Sequence, residues 1–501
     1  MITEFGKFGP FQHALQPMEH QAKIFNETRN AEYYALLWEM GVGKTKPAID
    51  TAAWLFLKGE IDGVLVISDK GAYANWTDTE IPLHMPKNIP YRQLQWKSTV
   101  TNKATHKAIA EMLNPQDDLL DIVAMNTEAF SHKKALAYAI EFLETHYAMI
   151  IVDESDSIKR LESKRTETIL KLRDFAPYRR ILTGTPISNS PLDIYAQAEF
   201  LKQGLLGDSF TVFRAQYAII MLEKGYGFKP HYKILGYKNL EMLKEKIKPW
   251  SSRLTKDEAL DLPPKIYERW QVEHTPEQER MYKELKETAL TQYSAGMITA
   301  VSAMTMMMKL HQINCGHVKL NPTDDEEEGQ TVDIPSNRVT ELLNVLSKVN
   351  GKVIIWACFQ RDFDLIGEAL TKEYGRDSWV DYHGRTSQTQ RPANLDLFIK
   401  NDKTRFFLSN PATGGRSITL TVASYAIYYS YNWRLALRLQ SEDRDHRKGQ
   451  TKSCTYVDLC IPKTIDVKIL ASHKRKKDLA SMILDNFGVL LNDETEEIEA
   501  T

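Results

Sequence analysis

At 501 residues, with 43% hydrophobic and 26% charged side chains, the chain is too long for a single core and has the composition of an ordinary globular protein. Its net charge of −2 excludes a global basic field, so a nucleic-acid surface would have to be a local patch. Cys315, Cys358, Cys454 and Cys460 form no Cys-x-x-Cys pair and read as reduced thiols; the first residues lack the features of a signal peptide, and no apolar run approaches a membrane span.

Taken in order, the chain first offers Leu15 to Gln21, followed by apolar residues at helical spacing through Ile24 and Phe25. The Gln21 amide both donates and accepts, which suits an adenine edge, although a helical Gln is usually just solvated. The run Tyr34–Trp38 reads as a buried parallel strand. It breaks into Gly41-Val42-Gly43-Lys44-Thr45, and a helical pattern continues to about Leu57. Strand, glycine turn, Lys-Thr and helix form the context of a phosphate-binding loop. The glycines let backbone amides close around phosphate oxygens, and the helix N-terminus adds its positive end. Lys44 would reach the β and γ phosphates, and the Thr45 hydroxyl would ligate Mg²⁺. The general pattern wants Gly where Trp38 stands, so a chance turn is the competing reading.

Further buried strands are expected at 61–68, 121–125, 149–153 and 180–183, separated by helical patterns. That alternation predicts an α/β domain with a mainly parallel sheet, whose chemistry sits at the carboxyl ends of its strands. The fourth strand ends in Asp153-Glu154-Ser155-Asp156. Asp153 can hold Mg²⁺ through its water shell, and Glu154 can polarise an attacking water. The alternative is an exposed helix start, where acidic residues suit the dipole; the Lys44 loop earlier in the chain favours the active site.

From 204 to 335 helical periodicity is expected to dominate, with an acidic loop at 324–328. A second α/β pattern starts near Leu342, with strands at 352–357, 405–409, 425–429 and 455–459 and no second Lys-Thr loop. Arg444 and Arg447, three apart, are expected to share a helical face and suit a triphosphate, or else to pair with Glu442, Asp443 and Asp445 on a surface. His311, Cys315 and His317 suggest a metal, but no fourth ligand has structural-zinc spacing, and a helix end packed into the core fits better. Lys474 to Lys477 read as a solvated helix face, and 493–499 as a frayed acidic end.

Together these stretches resemble superfamily 2 helicase-like ATPases of the Swi/Snf branch, from Leu15 to Leu484. Glu39 to Thr45 is similar to that branch's motif I, with Trp38 where the family usually has Asp. Asp153 to Asp156 resembles motif II, with Asp156 in place of the usual His. Leu182 to Asn189 (LTGTPISN) resembles motif III, and 250–265 (WSSRLTKDEALDLPPK) the segment joining the lobes. Gln440, Arg444, Arg447, Gly449 and Gln450 resemble motif VI, and Trp433 also matches. Gly414 and Gly415 match motif V, although Ser417 and Thr419 replace its usual Gly and Asn. The stretch before Gln21 is two residues longer than the branch norm.

The resemblance implies an α/β fold of two RecA-like lobes with parallel sheets, joined by a helical insertion and linker. Lobe 1 would span 1–203, the insertion and linker 204–335, lobe 2 336–475, and a C-terminal helix with an acidic tail 476–501. It also implies an ATP site at Gln21, Gly41, Val42, Gly43, Lys44 and Thr45, with Mg²⁺ at Thr45 and Asp153. Glu154, Lys44, Arg444 and Arg447 would be catalytic; Thr183, Thr185 and Gln440 would couple hydrolysis to motion. Nucleic-acid contacts are expected from Lys70, Trp76, Thr127, Ser188, Asn189, Gly414 and Gly415, with Trp76 more naturally a core residue. The implied function is a DNA-dependent ATPase that translocates on duplex or branched DNA, remodels forks or junctions, or displaces bound protein. The expected setting is a monomer in bacterial or virus-infected cytoplasm, associated with the nucleoid and not with a membrane. A strand-separating DNA or RNA helicase is the alternative. A non-catalytic scaffold ranks last, because Lys44, Glu154 and both arginines are present.

Overall fold

In the computed structural model, which describes residues 8–98, 103–223, 231–294, 300–320, 329–414 and 418–484, the apolar runs become strands of two parallel sheets. The first six are β1 (Tyr33–Trp38), β2 (Gly63–Ser68), β3 (Tyr91–Gln95), β4 (Leu120–Asn126), β5 (Ala148–Asp153) and β6 (Tyr178–Leu182). Then come β7 (Ala218–Glu223), β8 (His231–Tyr237), β9 (Ser251–Leu254), β10 (Lys265–Gln271), β11 (His317–Lys319) and β12 (Thr331–Asp333). The last five are β13 (Val353–Trp356), β14 (Trp379–Tyr382), β15 (Phe406–Ser409), β16 (Tyr425–Tyr428) and β17 (Cys454–Cys460).

The chain forms two compact units. One takes in the residues up to Leu260, the other Asp261–Arg475. The first unit's sheet has the order β3-β4-β2-β5-β6-β1-β9, and every neighbouring pair is parallel. The second unit's sheet, also parallel throughout, has the order β10-β17-β16-β13-β15-β14. Successive strand residues point to opposite faces. Leu65, Ile67, Ile150 and Val152 accordingly join one core, while Val64, Val66, Met149 and Ile151 join another. In the second unit Ile354, Trp356 and Phe407 face one core, and Val353, Ile355 and Phe406 the other. Both faces of each sheet are covered, which is why the central strands are continuously apolar.

The stretch 204–335 is more than helical. It holds the helices Phe210–Tyr217, Leu240–Ile247, Pro276–Ser294 and Ala300–Asn314, but also, among the described residues, six strands. β7 and β8 form an antiparallel hairpin and β11 and β12 a second small ribbon; β9 and β10 are outer strands of the two large sheets. Edge strands have one unpaired flank and fewer buried positions, so β9 (SSRL) and β10 (KIYERWQ) carry little apolar signal. The acidic stretch 324–328 and the tail 493–499 lie outside the described residues. Lys474 and Arg475 are exposed on the helix Ile465–Leu484. Among the described residues no helix is long and apolar enough to cross a membrane.

Candidate active site

β1 delivers the chain into the glycine turn. Gly41 and Gly43 have φ of +82° and +85°, a region that favours glycine. Lys44 then caps the helix Thr45–Leu57. The loop is held from outside by the helix Glu19–Thr28. Gln21 Oε1 accepts from the Met18 N–H (2.9 Å), and its Nε2 donates to the Gly43 carbonyl (2.9 Å). The fit is close: a Cβ on Gly43 would lie 2.4 Å from Gln21 Nε2. These bonds use one of the two amide hydrogens of Gln21 to brace the loop. Lys44 is 8% exposed, and its ammonium donates to the Trp38 and Glu39 carbonyls at 3.0 and 3.2 Å.

The non-standard residue before the loop has a structural reason. Trp38 is buried in the core and its indole N–H donates to Ser252 Oγ of β9 at 2.8 Å. Glu39 also faces that segment: its carboxylate accepts from the Lys256 backbone N–H (3.0 Å) and lies 3.4 Å from Arg253. The SSRL strand, β9, therefore flanks the phosphate loop through β1.

β5 ends at the acidic pair. Asp153 Oδ2 accepts from Ser68 Oγ (3.1 Å) and from the Trp76 indole N–H (2.9 Å), and its Oδ1 from the Glu154 N–H (3.0 Å). Three of the carboxylate's roughly four acceptor sites are thus occupied, which suits contact with a hydrated Mg²⁺ more than direct ligation. A threonine hydroxyl and a carboxylate are hard oxygen donors appropriate to that ion. Glu154 takes the left-handed conformation (φ 50°, ψ 54°), and its Oε2 is buried with no hydrogen-bond partner among the described residues. Burial pushes its carboxyl well up and the charge of Asp153 adds to this, while Lys44 opposes the shift.

Motif III packs directly on this loop. A Cβ on Gly184 would lie 3.0 Å from Met40 Cγ and 3.1 Å from its backbone nitrogen. Thr183 is fully buried and its hydroxyl accepts from the Thr185 N–H at 3.1 Å, while Thr185 Oγ1 has no partner among the described residues. Gln197, which no local pattern marks, bridges the two motifs. Its Oε1 accepts from Ser155 Oγ (2.7 Å), and its Nε2 donates to the Pro186 carbonyl (2.8 Å).

In the second unit the helix Leu435–Glu442 stops short of both arginines, so they share no helical face. The chain turns instead, tied by Arg444 N–H to the Ser441 carbonyl and His446 N–H to that of Glu442, and Gly449 has a φ of +102°. The turn still brings the arginines to neighbouring residues. Arg444 donates to the Ile418 carbonyl (3.3 Å) and Arg447 to Thr419 Oγ1 (2.9 Å), the side chain that replaces the usual Asn. Gln440 is buried, and its Oε1 has no partner among the described residues. The acidic neighbours are occupied elsewhere. Glu442 accepts from Lys265 (3.0 Å), Tyr267 (2.8 Å) and Arg438 (2.7 Å); burial pushes its carboxyl up, but the Lys265 and Arg438 cations outweigh this and hold it at about 2. Arg438 also pairs with Asp458 at 2.5 Å.

Of the candidate nucleic-acid contacts, Lys70 and Asn189 are exposed. Trp76, 2% exposed, offers no face to a base; it serves Asp153 instead. Thr127 is fully buried, donating to the Ser68 carbonyl (2.9 Å), and Ser188 is buried against Lys159 and Asp193. Gly414 is buried, and an added Cβ would lie 3.0 Å from the Trp356 ring, while Gly415 lies outside the described residues. His317 Nε2 bonds to Asp362 (2.8 Å), burial pushes His311 down to about 4, and the Cys315 thiol is pushed well up by burial. These three side chains are core groups of the helix end and the strand after it.

A glycine-Lys-Thr loop, an acidic strand end beside it and a second α/β lobe with an arginine turn define a two-lobed, helicase-like class of chain. The chain belongs to the SNF2-related family: residues 28–319 match the SNF2-related domain, and residues 336–449 match the helicase conserved C-terminal domain. The Swi/Snf resemblance is thereby borne out, and the two parallel sheets are its RecA-like lobes. YwqA of Bacillus subtilis (strain 168) is 26% identical over 359 residues, covering 70% of this chain and 37% of that protein. Protein CHROMATIN REMODELING 4 of Arabidopsis thaliana is 24% identical over 504 residues, covering 95% of this chain and 21% of that one. The chain thus spans well under half the length of these curated relatives. Among solved structures, a Sulfolobus solfataricus SWI2/SNF2 ATPase core in complex with dsDNA is similar at 22% identity, with 95% of each chain covered and a TM-score of 0.41.

Proposed function

We propose that the chain is an ATP-dependent motor that moves along duplex or branched DNA, remodelling forks or junctions or displacing bound protein. The observation that carries this is Glu154, directly after β5, whose buried Oε2 has no hydrogen-bond partner among the described residues and which lies within electrostatic reach of Lys44. A carboxylate so placed can orient a water and take its proton. Lys44 and the amides of Gly41 to Thr45 bind the phosphates, and Gln21 steadies the loop. Mg²⁺, bound with ATP near Thr45 and Asp153, would neutralise charge on the β and γ oxygens. Arg444 and Arg447 contribute charge to the γ-phosphate at the transition state. Thr183, Thr185 and Gln440 relay the nucleotide state to the DNA contacts, of which exposed Lys70 and Asn189 are the foremost in the first lobe. We assign lobe 1 to 1–203, lobe 2 to 336–475 and the terminal helix and tail to 476–501, with 204–335 an insertion and linker that lends β9 to the first lobe's sheet and β10 to the second's.

Similarity to relatives such as the ISWI chromatin-remodeling complex ATPase CHR11 of Arabidopsis thaliana supports this reading. The test is steady-state ATP hydrolysis with linear duplex, forked duplex, single-stranded DNA and RNA. Duplex and forked DNA are expected to stimulate most, with affinity falling steeply as salt rises because the contacts are to phosphates. Stimulation by single strands or RNA alone would overturn the translocase reading.

A further inference from the structure

The left-handed conformation of Glu154 needs support from beyond its own turn. At a non-glycine residue such a conformation persists only where the surroundings over-determine it. Two local bonds shape the turn: the Glu154 N–H donates to Asp153 Oδ1 (3.0 Å), and the Glu154 carbonyl accepts from the Ser157 N–H (2.9 Å). Both close within 153–157, so neither fixes the turn against a neighbouring element. The residue after Glu154 does. Ser155 is fully buried, and its hydroxyl donates to Gln197 Oε1 at 2.7 Å.

Gln197 lies on the helix Ile194–Leu201 and is itself fully buried. A carboxamide has one acceptor oxygen and two N–H donors. All are used here: beside the Ser155 bond, Nε2 donates to the Pro186 carbonyl (2.8 Å) and to the Asp193 carbonyl (2.9 Å). Two carbonyls on one side require the NH₂ there, so the amide has a single orientation. A buried glutamine left unpaired is costly, whereas one with every group satisfied makes a rigid joint.

That joint spans from the acidic strand end to the segment after β6. Pro186 closes the TGTP run, and the Asp193 carboxylate accepts from the N–H of exposed Asn189 (2.8 Å). At the far end of the acidic turn, Lys159 bonds to Ser188 of the same segment. The turn is thus pinned to 186–193 at both of its ends, and Gln197 makes the pin beside the carboxylate. Its three partners all lie outside the phosphate loop, so it bears on the reacting water's partner and not on nucleotide binding. Resting on the reading of Glu154 as the base, we infer that Gln197 is a positioning residue for ATP hydrolysis: through Ser155 it holds the Glu154 carboxylate in place against the segment 186–193.

The test uses the full-length protein carrying Gln197→Met, Ser155→Ala or both, with Glu154→Gln beside them. Hydrolysis is followed over a range of ATP concentrations on saturating linear duplex. Binding of a fluorescent ATP analogue and the denaturant midpoint are measured in parallel. Each single variant should bind the analogue within about twofold of the parent and lose at least about tenfold in kcat, since misplacing a reacting group by about 1 Å can cost about a hundredfold. The double variant should lose no more than the worse single one, because the two residues act through one bond. A folded Gln197→Met protein with near-parental kcat would overturn the proposal and leave Gln197 a core residue. Weaker analogue binding at unchanged kcat would overturn it too, as would losses that multiply in the double variant. Should Gln197→Met not fold, Ser155→Ala, which removes one oxygen, decides by the same criteria. A Glu154→Gln protein that turns over normally sinks the base reading itself. An inert Glu154→Gln protein beside unimpaired bridge variants sinks only the role of Gln197.

Discussion

Glu154 occupies a costly position, and the cost points to its use. A left-handed conformation at a non-glycine residue and a buried carboxylate oxygen without a hydrogen-bond partner among the described residues each cost roughly 1–3 kcal/mol. Glu154→Gln keeps the shape and removes the base. It should bind a fluorescent ATP analogue as tightly as the parent and lose at least about a hundredfold in turnover. Near-normal steady-state hydrolysis by the purified variant would refute the role. Burial and Asp153 hold the Glu154 carboxyl well above the usual range, so its active, ionised form is lost on acidification at a higher pH than for a free glutamate. Trp76 is instructive beside it. Its sequence context, after a strand end, admits a stacking surface but favours a core; only the tertiary structure reveals the bond to Asp153.

At the scale of elements, the turn after Leu435–Glu442 holds a buried acid that makes stability depend on pH. Asp445 is fully buried; its Oδ1 accepts from Tyr456 (3.1 Å) and its Oδ2 has no partner among the described residues. Burial raises it from 3.8 to about 7. The folded state therefore keeps this proton where the unfolded chain has released it. The stabilisation is complete below the unfolded value and is lost as pH rises through the folded one, on the order of a few kcal/mol in total. Asp445→Asn should match the parent in denaturant midpoint near pH 4 and exceed it at pH 8. An unchanged difference between the two across that range would show that Asp445 does not titrate in this window. The same turn shows where sequence reading stops. Arginines three apart suggested one helical face, but the helix ends at Glu442, and long-range bonds to Ile418 and Thr419 place them instead. The strands divide in the same way. The central strands of both sheets were legible as apolar runs. The four outer ones, β3, β9, β10 and β14, were not, because an edge strand need not be apolar on both faces. Motif residues at central strand ends were thus readable, whereas Gln197, a bridge formed by packing, was not.

At the scale of the whole molecule, each lobe has its own sheet and cores. Lys44 makes its hydrogen bonds within the first lobe, and Arg447 bonds to Thr419 within the second. If ATP is bound by the first lobe and completed by the second, the two cations should fail differently when removed. Lys44→Ala takes away a charge that meets the phosphates in the ground state, so nucleotide affinity should fall together with turnover. Arg447→Ala takes away a charge needed mainly as the γ-phosphate departs. It should leave ATP affinity nearly intact and lower turnover on the order of a thousandfold, the scale of a lost arginine finger. Equilibrium binding of a fluorescent nucleotide, measured beside single-turnover hydrolysis on duplex DNA, separates the two losses. An Arg447→Ala protein that hydrolyses ATP normally yet no longer binds DNA would make the turn after Glu442 a DNA surface, and the division of labour between the lobes would have to be redrawn.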